Sequence, residues 1–223
     1  MCGDSMRPLF LEICFSMPPR SLEFLLLFLA LPLVLPFIQP LAIGFALLWV
    51  FTFAVLFAAR KHRAEFLLLW NGAALKSHYM VHMLGKWVVC SGVLLGYTYF
   101  YEPALFLQFP TERPTLWMMV LCFYPFLSAL PQEVIYRAFF FHRYASLLKT
   151  PLSMMLANGV VFALIHVMFG NVLAVVLSFF GGLLFAHTYH TSKSLVLVWL
   201  EHTLYGWTLF TLGLGWYFYH GNV

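Results

Sequence analysis

The chain has 223 residues, 63% of them hydrophobic and 19% aromatic, against only 9% charged. A soluble domain of this length carries far more charge, so a water-soluble enzyme fold is excluded. The formal charge of +4 is small. It fits the basic flanks of membrane helices better than a nucleic-acid-binding patch.

The expected class is all-α. We expect one integral-membrane domain, a polytopic transmembrane helical bundle of about seven to eight helices plus an interfacial helix. Residues 1–20 hold Asp4, Arg7, Glu12 and Arg20 and break at Pro18-Pro19. No basic start leads into an apolar stretch there, so a cleavable signal peptide is not expected. The first apolar run covers Leu22–Ile38 and the second Leu41–Ala59, with Gln39-Pro40 as a short turn between them. Residues 66–86 begin apolar and then carry Asn71, Lys76, His78, His82 and Lys86. That mixture predicts an interfacial amphipathic helix rather than a span. A third span is expected from Trp87 to Tyr101, and a fourth from Thr115, continuing as helix through Arg143. The last three are expected at Leu152–Phe169, Val172–Tyr189 and Leu195–Leu214.

Basic residues cluster at alternate ends of these runs. Arg20, the 60–63 cluster, Lys76, Lys86, Arg143, Lys149 and Lys193 fall on one side if the N-terminus is cytoplasmic, with Arg113 as the exception. Cys2, Cys14, Cys90 and Cys122 are widely scattered and show no metal-binding spacing, so they read as free thiols. Gly181-Gly182 and Gly213/Gly215 read as points of close helix packing. Phe139-Phe140-Phe141 reads as helix packing or the lining of a substrate path, and the aromatic residues around 205–219 as an interfacial belt.

Three polar intrusions stand out. Glu133, His166 and His202 each lie in a separate apolar run. A charged side chain in hydrocarbon costs roughly 2.5–3.5 kcal/mol on insertion scales, so each marks a candidate functional site. Arg137 stands four residues after Glu133, on the same helix face. Taken singly, each has a structural explanation: a buried ion pair, or a hydrogen bond between helices. Their joint occurrence points to a hydrolytic site within a membrane. Glu133 would activate water, His166 would position it, His202 would stabilise the oxyanion, and Arg137 would orient Glu133. Alternatively, Glu133, His166 and His202 would hold Zn²⁺ with a water in the fourth position. The residues leave both open. The chain lacks the His-Glu-x-x-His pattern of zinc proteases, which favours the cofactor-free route.

Gln132-Glu133-Val134-Ile135-Tyr136-Arg137, Phe162-Ala163-Leu164-Ile165-His166 and His202-Thr203-Leu204-Tyr205-Gly206 occur in that order across residues 115–210. The pattern resembles the CPBP family of intramembrane proteases (CAAX protease and bacteriocin-processing, or abortive-infection, family). That family shows Glu-Glu-x-x-x-Arg, Phe-x-x-x-His and His-x-x-x-Asn. The resemblance implies an intramembrane endopeptidase whose partners are the lipid bilayer and a membrane-associated peptide or protein substrate, with no nucleic acid. Two positions depart from it. Gln132 replaces the glutamate usually given the water-activating role, and Gly206 replaces the Asn, removing an oxyanion donor. Either Glu133 serves as base, or the chain is a catalytically inactive relative that binds a peptide or partner protein. Glu201, beside His202, is an unexpected carboxylate, a candidate supporting group or substitute acid. A small transporter with Glu133 as its proton site is a further reading, but no inverted second half is visible.

Helix length poses a problem for convergence. His202 lies roughly 13 Å past Lys193, whereas His166 lies roughly 25 Å past Lys149, at 1.5 Å per residue. The three side chains meet only if helices tilt or break.

Overall fold

The computed structural model describes residues 19–37, 41–60 and 69–219. The expected turn at Gln39-Pro40, the basic residues Lys61, His62 and Arg63, and Cys2, Cys14 and His220 lie outside the described residues. All regular structure among the described residues is helical. Seven helices are long and apolar enough to cross a membrane: α1 (Arg20–Phe37), α2 (Ala42–Ala59), α3 (His78–Tyr101), α4 (Pro114–Arg143), α5 (Pro151–Phe169), α6 (Val172–Ser192) and α7 (Leu195–Leu212). The outward surface is apolar, with Val50, Val89, Phe100 and Phe123 all more than half exposed. Such a surface suits lipid, where helices satisfy their own backbone polar groups.

One boundary differs from the sequence reading. Residues 78–86, expected in a separate interfacial helix, are the first turns of α3. Ser77 caps that helix by accepting from the Tyr79 amide at 3.2 Å. Of the polar residues that suggested an interface, Lys76, His78 and His82 are exposed, whereas Asn71 and Lys86 bond to other helices, Asn71 Nδ2 donating to the Ser192 carbonyl at 2.9 Å. Lys86 Nζ donates to Thr188 Oγ1 at 2.6 Å, and Trp87 Nε1 donates to Thr208 Oγ1 at 3.0 Å. Polar side chains facing other helices are the membrane counterpart of a soluble core, so hydropathy alone placed the start of this span too late.

Local chemistry fixes the ends of the last three helices. Thr150 and Ser153 form a reciprocal cap at the start of α5, with Pro151 in the first turn. Asn171 Oδ1 accepts from the Ala174 amide at the start of α6, and Ser194 Oγ from the Leu197 amide at the start of α7. Gly213 ends α7 at φ +95°, where an L side chain is strained. A Cβ there would also strike the Leu105 carbonyl.

α4 is not a uniform helix. Wide, π-type turns occupy Pro125–Ala129 and Val134–Phe139, either side of the short stretch Leu130–Glu133. Pro125 and Pro131 bring no backbone N–H, which loosens the α ladder. Asn158 on α5 donates to the Tyr136 carbonyl at 2.6 Å, satisfying a polar group inside the second wide turn. Wide turns of this kind are frequent at functional sites because they re-aim side chains.

The main core joins α1, α2, α4, α5, α6 and α7. The Phe28 ring meets Tyr136, Phe140 and Tyr144 edge-on at 5.7, 5.2 and 5.7 Å. Phe139, Phe140 and Phe141 are all buried in this core. They pack helices together and are not among the residues lining the large cavity described below. Gly182 on α6 lies so close to α5 that an added Cβ would be 3.0 Å from Gly159 Cα and from Phe162 Cβ. The expected close packing holds at Gly182. An added Cβ at neighbouring Gly181 would meet only Phe185, one turn on in the same helix, at 3.5 Å.

Two ion pairs tie the N-terminal helices to the rest. Arg143, at the end of α4, grips Glu23 of α1 with both nitrogens: Nε to Oε1 at 3.0 Å and Nη2 to Oε2 at 2.5 Å. Tyr144 donates to the same Oε1 at 2.9 Å. Burial and the neighbouring Glu23 carboxylate push the Tyr144 phenol well above its usual pKa, so it remains a donor. The second pair, Lys86 with Glu201, is 2.9 Å long and joins α3 to α7.

Candidate active site

The irregular stretch of α4 places Glu133 and Arg137 in the middle of the bundle, and both are fully buried. Their i,i+4 spacing brings Arg137 Nε to 3.1 Å from Glu133 Oε2. The other carboxylate oxygen, Oε1, lies 2.7 Å from His202 Nδ1 on α7. Glu133 is thus held between a cation and an imidazole, with both oxygens engaged. A buried carboxylate is tolerated where it is paired in this way.

Aromatic rings fix the geometry around this pair. The Phe185 ring stacks on His202 with centroids 4.7 Å apart and planes at 23°. Arg137 lies 4.7 Å from the Phe162 ring and 5.2 Å from the Phe185 ring. Its Nη2 also reaches the Gly182 carbonyl at 3.5 Å.

His166 lies at the end of α5, where the α-helix tightens into a 3₁₀ turn over His166–Phe169. Its Nδ1 is 2.6 Å from the Phe162 carbonyl. Phe162 bridges the two imidazoles, with its centroid 4.8 Å from that of His166 and 5.7 Å from that of His202. In both imidazoles Nδ1 faces an oxygen acceptor. In a neutral imidazole that contact places the proton on Nδ1 and the lone pair on Nε2.

His166, His202 and Gln132 line a cavity of about 1220 Å³ to which all seven spans contribute. Its walls are overwhelmingly apolar. Liners such as Val50 and Phe123 are 64% and 54% exposed, so the cavity reaches the lipid-facing surface. Glu133 is absent from this lining and is wholly enclosed behind His202. Gln132 Nε2 donates to Ser128 Oγ at 2.9 Å, and both residues face the cavity.

Glu201 is fully buried and points away from the cavity, toward Lys86. Gly206 is one turn beyond His202 on α7. The ring of Tyr124 fills the space beside it, so an added Cβ would overlap that ring. Tyr124 and Tyr205 both line the cavity. Tyr205 is therefore not part of an interfacial belt, whereas Trp207 and Trp216 are partly exposed at 37% and 43%. The described cysteines, Cys90 and Cys122, are free thiols.

The residues do not form a metal-ligand set. Glu133 is paired with Arg137 and His202, and among the described residues no three His, Cys, Asp or Glu side chains are disposed to hold an ion. Structural and catalytic zinc sites use at least three protein ligands. The zinc alternative thus finds no support in this geometry.

Sequence reasoning singled out Glu133, Arg137, His166 and His202 and gave no place to Tyr124, Glu23 or the pairing of Lys86 with Glu201. Glu23 was in fact findable, as a lone acid in an apolar run is the signal that marked Glu133.

Comparison with known families agrees with the motif order. Residues 113–220 match the family model described as Type II CAAX prenyl endopeptidase Rce1-like. That segment contains all three motifs, and the chain carries an Rce1-like domain of the CAAX protease family there. Comparison with curated proteins and with solved structures gives no match.

Proposed function

We propose that the protein is an intramembrane endopeptidase in which Glu133 and His202 act as a pair. The supporting observation is the 2.7 Å contact between Glu133 Oε1 and His202 Nδ1, made directly behind a cavity wall. The sequence alone assigned Glu133 as the direct base. Its complete enclosure favours action through the imidazole instead. Glu133 accepts from Nδ1–H, fixes the tautomer and stabilises the imidazolium that forms. A carboxylate does the same for the histidine of a catalytic triad. Arg137 holds the carboxylate in place.

Water has two O–H groups, and the free Nε2 atoms of His202 and His166 are two acceptors on one wall. His202 Nε2 takes a proton from the water held there. The resulting hydroxide oxygen bonds to the peptide carbonyl carbon, and the carbonyl π pair moves to oxygen. When that pair returns, the C–N bond breaks and the leaving nitrogen takes the proton from His202. A peptide bond in the apolar cavity is shielded from bulk water, which suits a substrate that arrives from the membrane. The cavity favours an apolar peptide or a lipid-attached one. Gln132 remains a neutral wall residue throughout.

The test uses purified protein in phosphatidylcholine vesicles with internally quenched apolar peptides. Wild type is expected to cleave, and Glu133→Gln to lose up to about 10⁴ in rate, the cost of removing the carboxylate that orients a catalytic histidine. Gln132→Ala should retain measurable cleavage. Unchanged cleavage by Glu133→Gln at equal membrane abundance sinks the proposed pair.

A second reading, a catalytically inactive member that binds a membrane peptide or partner protein, is favoured by Gln132 and Gly206. It predicts that wild type binds apolar peptides without cleaving them, and that Gln132→Glu starts cleavage by placing a carboxylate in the cavity wall.

The one-sided basic residues support an orientation with the N-terminus cytoplasmic. Seven spans then put the C-terminus on the opposite side. A reporter inserted at His62 should be cytoplasmic and one after Val223 should not. Finding both on one side breaks this topology.

A further inference from the structure

We propose that Tyr124 is a further catalytic residue, whose hydroxyl donates a hydrogen bond to the oxyanion formed during hydrolysis. This rests on the protease reading of the same site. Three observations carry it. Tyr124, from α4, lines the same cavity as His166 and His202. Its ring meets the His202 imidazole edge-on, with centroids 5.9 Å apart. The position one turn beyond His202 is Gly206, which has no side chain, and the Tyr124 ring and hydroxyl occupy the space a side chain there would take.

The chemistry requires a donor at this place. As the carbonyl carbon becomes tetrahedral, its oxygen gains a full charge inside an apolar cavity. Donors aimed at that oxygen are among the largest single contributions to catalysis. The two imidazoles cannot supply one at that moment. Each has its Nδ1 proton committed to Glu133 or to the Phe162 carbonyl. The Nε2 proton gained by His202 is destined for the leaving nitrogen. Phe210 also packs edge-on with the Tyr124 ring, centroids 5.4 Å apart, which limits its swing. A hydroxyl on a ring held by two such contacts is pre-aligned, the condition for such a donor to act without reorganisation.

Tyr124→Phe keeps the ring against Gly206 and removes only the hydroxyl. With the quenched apolar peptides in vesicles, kcat should fall about 10²–10³-fold with KM unchanged, the usual loss for one oxyanion donor. A phosphinate analogue of the cleaved peptide, which carries a tetrahedral anionic centre, should bind the variant more weakly than wild type. The parent peptide should bind both equally. A purely structural role would change both affinities together. Should Tyr124→Phe fail to reach the membrane, Tyr124→Ala compared with Tyr124→Ala/Gly206→Asn carries the test. The amide introduced at 206 should restore part of the lost rate. Tyr124→Phe at wild-type kcat overturns the role of Tyr124 and leaves the protease reading standing. Wild type that cleaves no peptide and binds phosphinate and parent peptide equally overturns both.

Discussion

Helices α3 and α7 lie side by side, joined by the Lys86–Glu201 pair and the Trp87–Thr208 hydrogen bond. Yet only 6% of the α3 window is buried, against 50% for α7. The contrast extends to whole regions. The windows in α1, α2 and α3 are 22%, 17% and 6% buried, while those in α5, α6 and α7 are 39%, 39% and 50% buried. The first three helices form a wall that touches lipid over most of its surface. The last four hold the proposed chemistry, in the segment that matches the family model. The wall nonetheless acts on the site through a few polar contacts. Glu23 anchors the end of the helix that carries Glu133, and Lys86 neutralises the carboxylate next to His202 in sequence.

This division predicts separable effects, and the largest concerns the anchor. The Glu23 and Arg143 side chains are each only 7% exposed. Removing one member of such a pair leaves a buried charge without its partner, which costs about 3–5 kcal/mol. Glu23→Gln should therefore lower resistance to thermal unfolding in detergent, followed by loss of protein from the soluble fraction on heating. The folded fraction should keep its wild-type KM, because Glu23 lies outside the cavity lining. A variant as heat-resistant as wild type would show that α1 is an incidental neighbour of α4 and would dissolve the contrast between wall and core.

The same contrast explains what could be read from the sequence. The helical class and the number of spans followed from apolar run length, because the bilayer sets how long a span must be. Glu133, His166 and His202 were legible because each interrupts such a run, and Arg137 because four residues place it one turn away. The partner of Lys86 was hidden because it lies on another helix, and no local pattern encodes that pairing. Its place at the head of α3 looked like an interface for the same reason. Tyr124 was hidden because aromatic residues are common throughout this chain. Only the missing side chain at Gly206 marks its position, and that becomes visible once the two helices are seen together. The roles within the site were less legible than its members. Sequence spacing brings Glu133 close to Arg137, but only the three-dimensional packing shows that His202 stands between Glu133 and the cavity.

The smallest expected effect is that of metal removal. A zinc mechanism would need Glu133, His166 and His202 as ligands, with a water completing the four-coordinate site. Glu133 instead lies 3.1 Å from Arg137 and 2.7 Å from His202, so its carboxylate is already matched to a cation and an imidazole. His202 meets Glu133 through Nδ1, and His166 meets the Phe162 carbonyl through Nδ1. Two Nε2 atoms remain, one ligand short of the usual catalytic set. The histidine–glutamate route needs no further group to activate water. Dialysis of the purified protein against a chelator should therefore leave peptide cleavage unchanged, and elemental analysis should find no stoichiometric zinc. Loss of cleavage on dialysis, with recovery when zinc is returned, would require the Glu133–Arg137 and Glu133–His202 contacts to open. The core would then be a metal site supported by its wall, and His202 would be a ligand rather than a base.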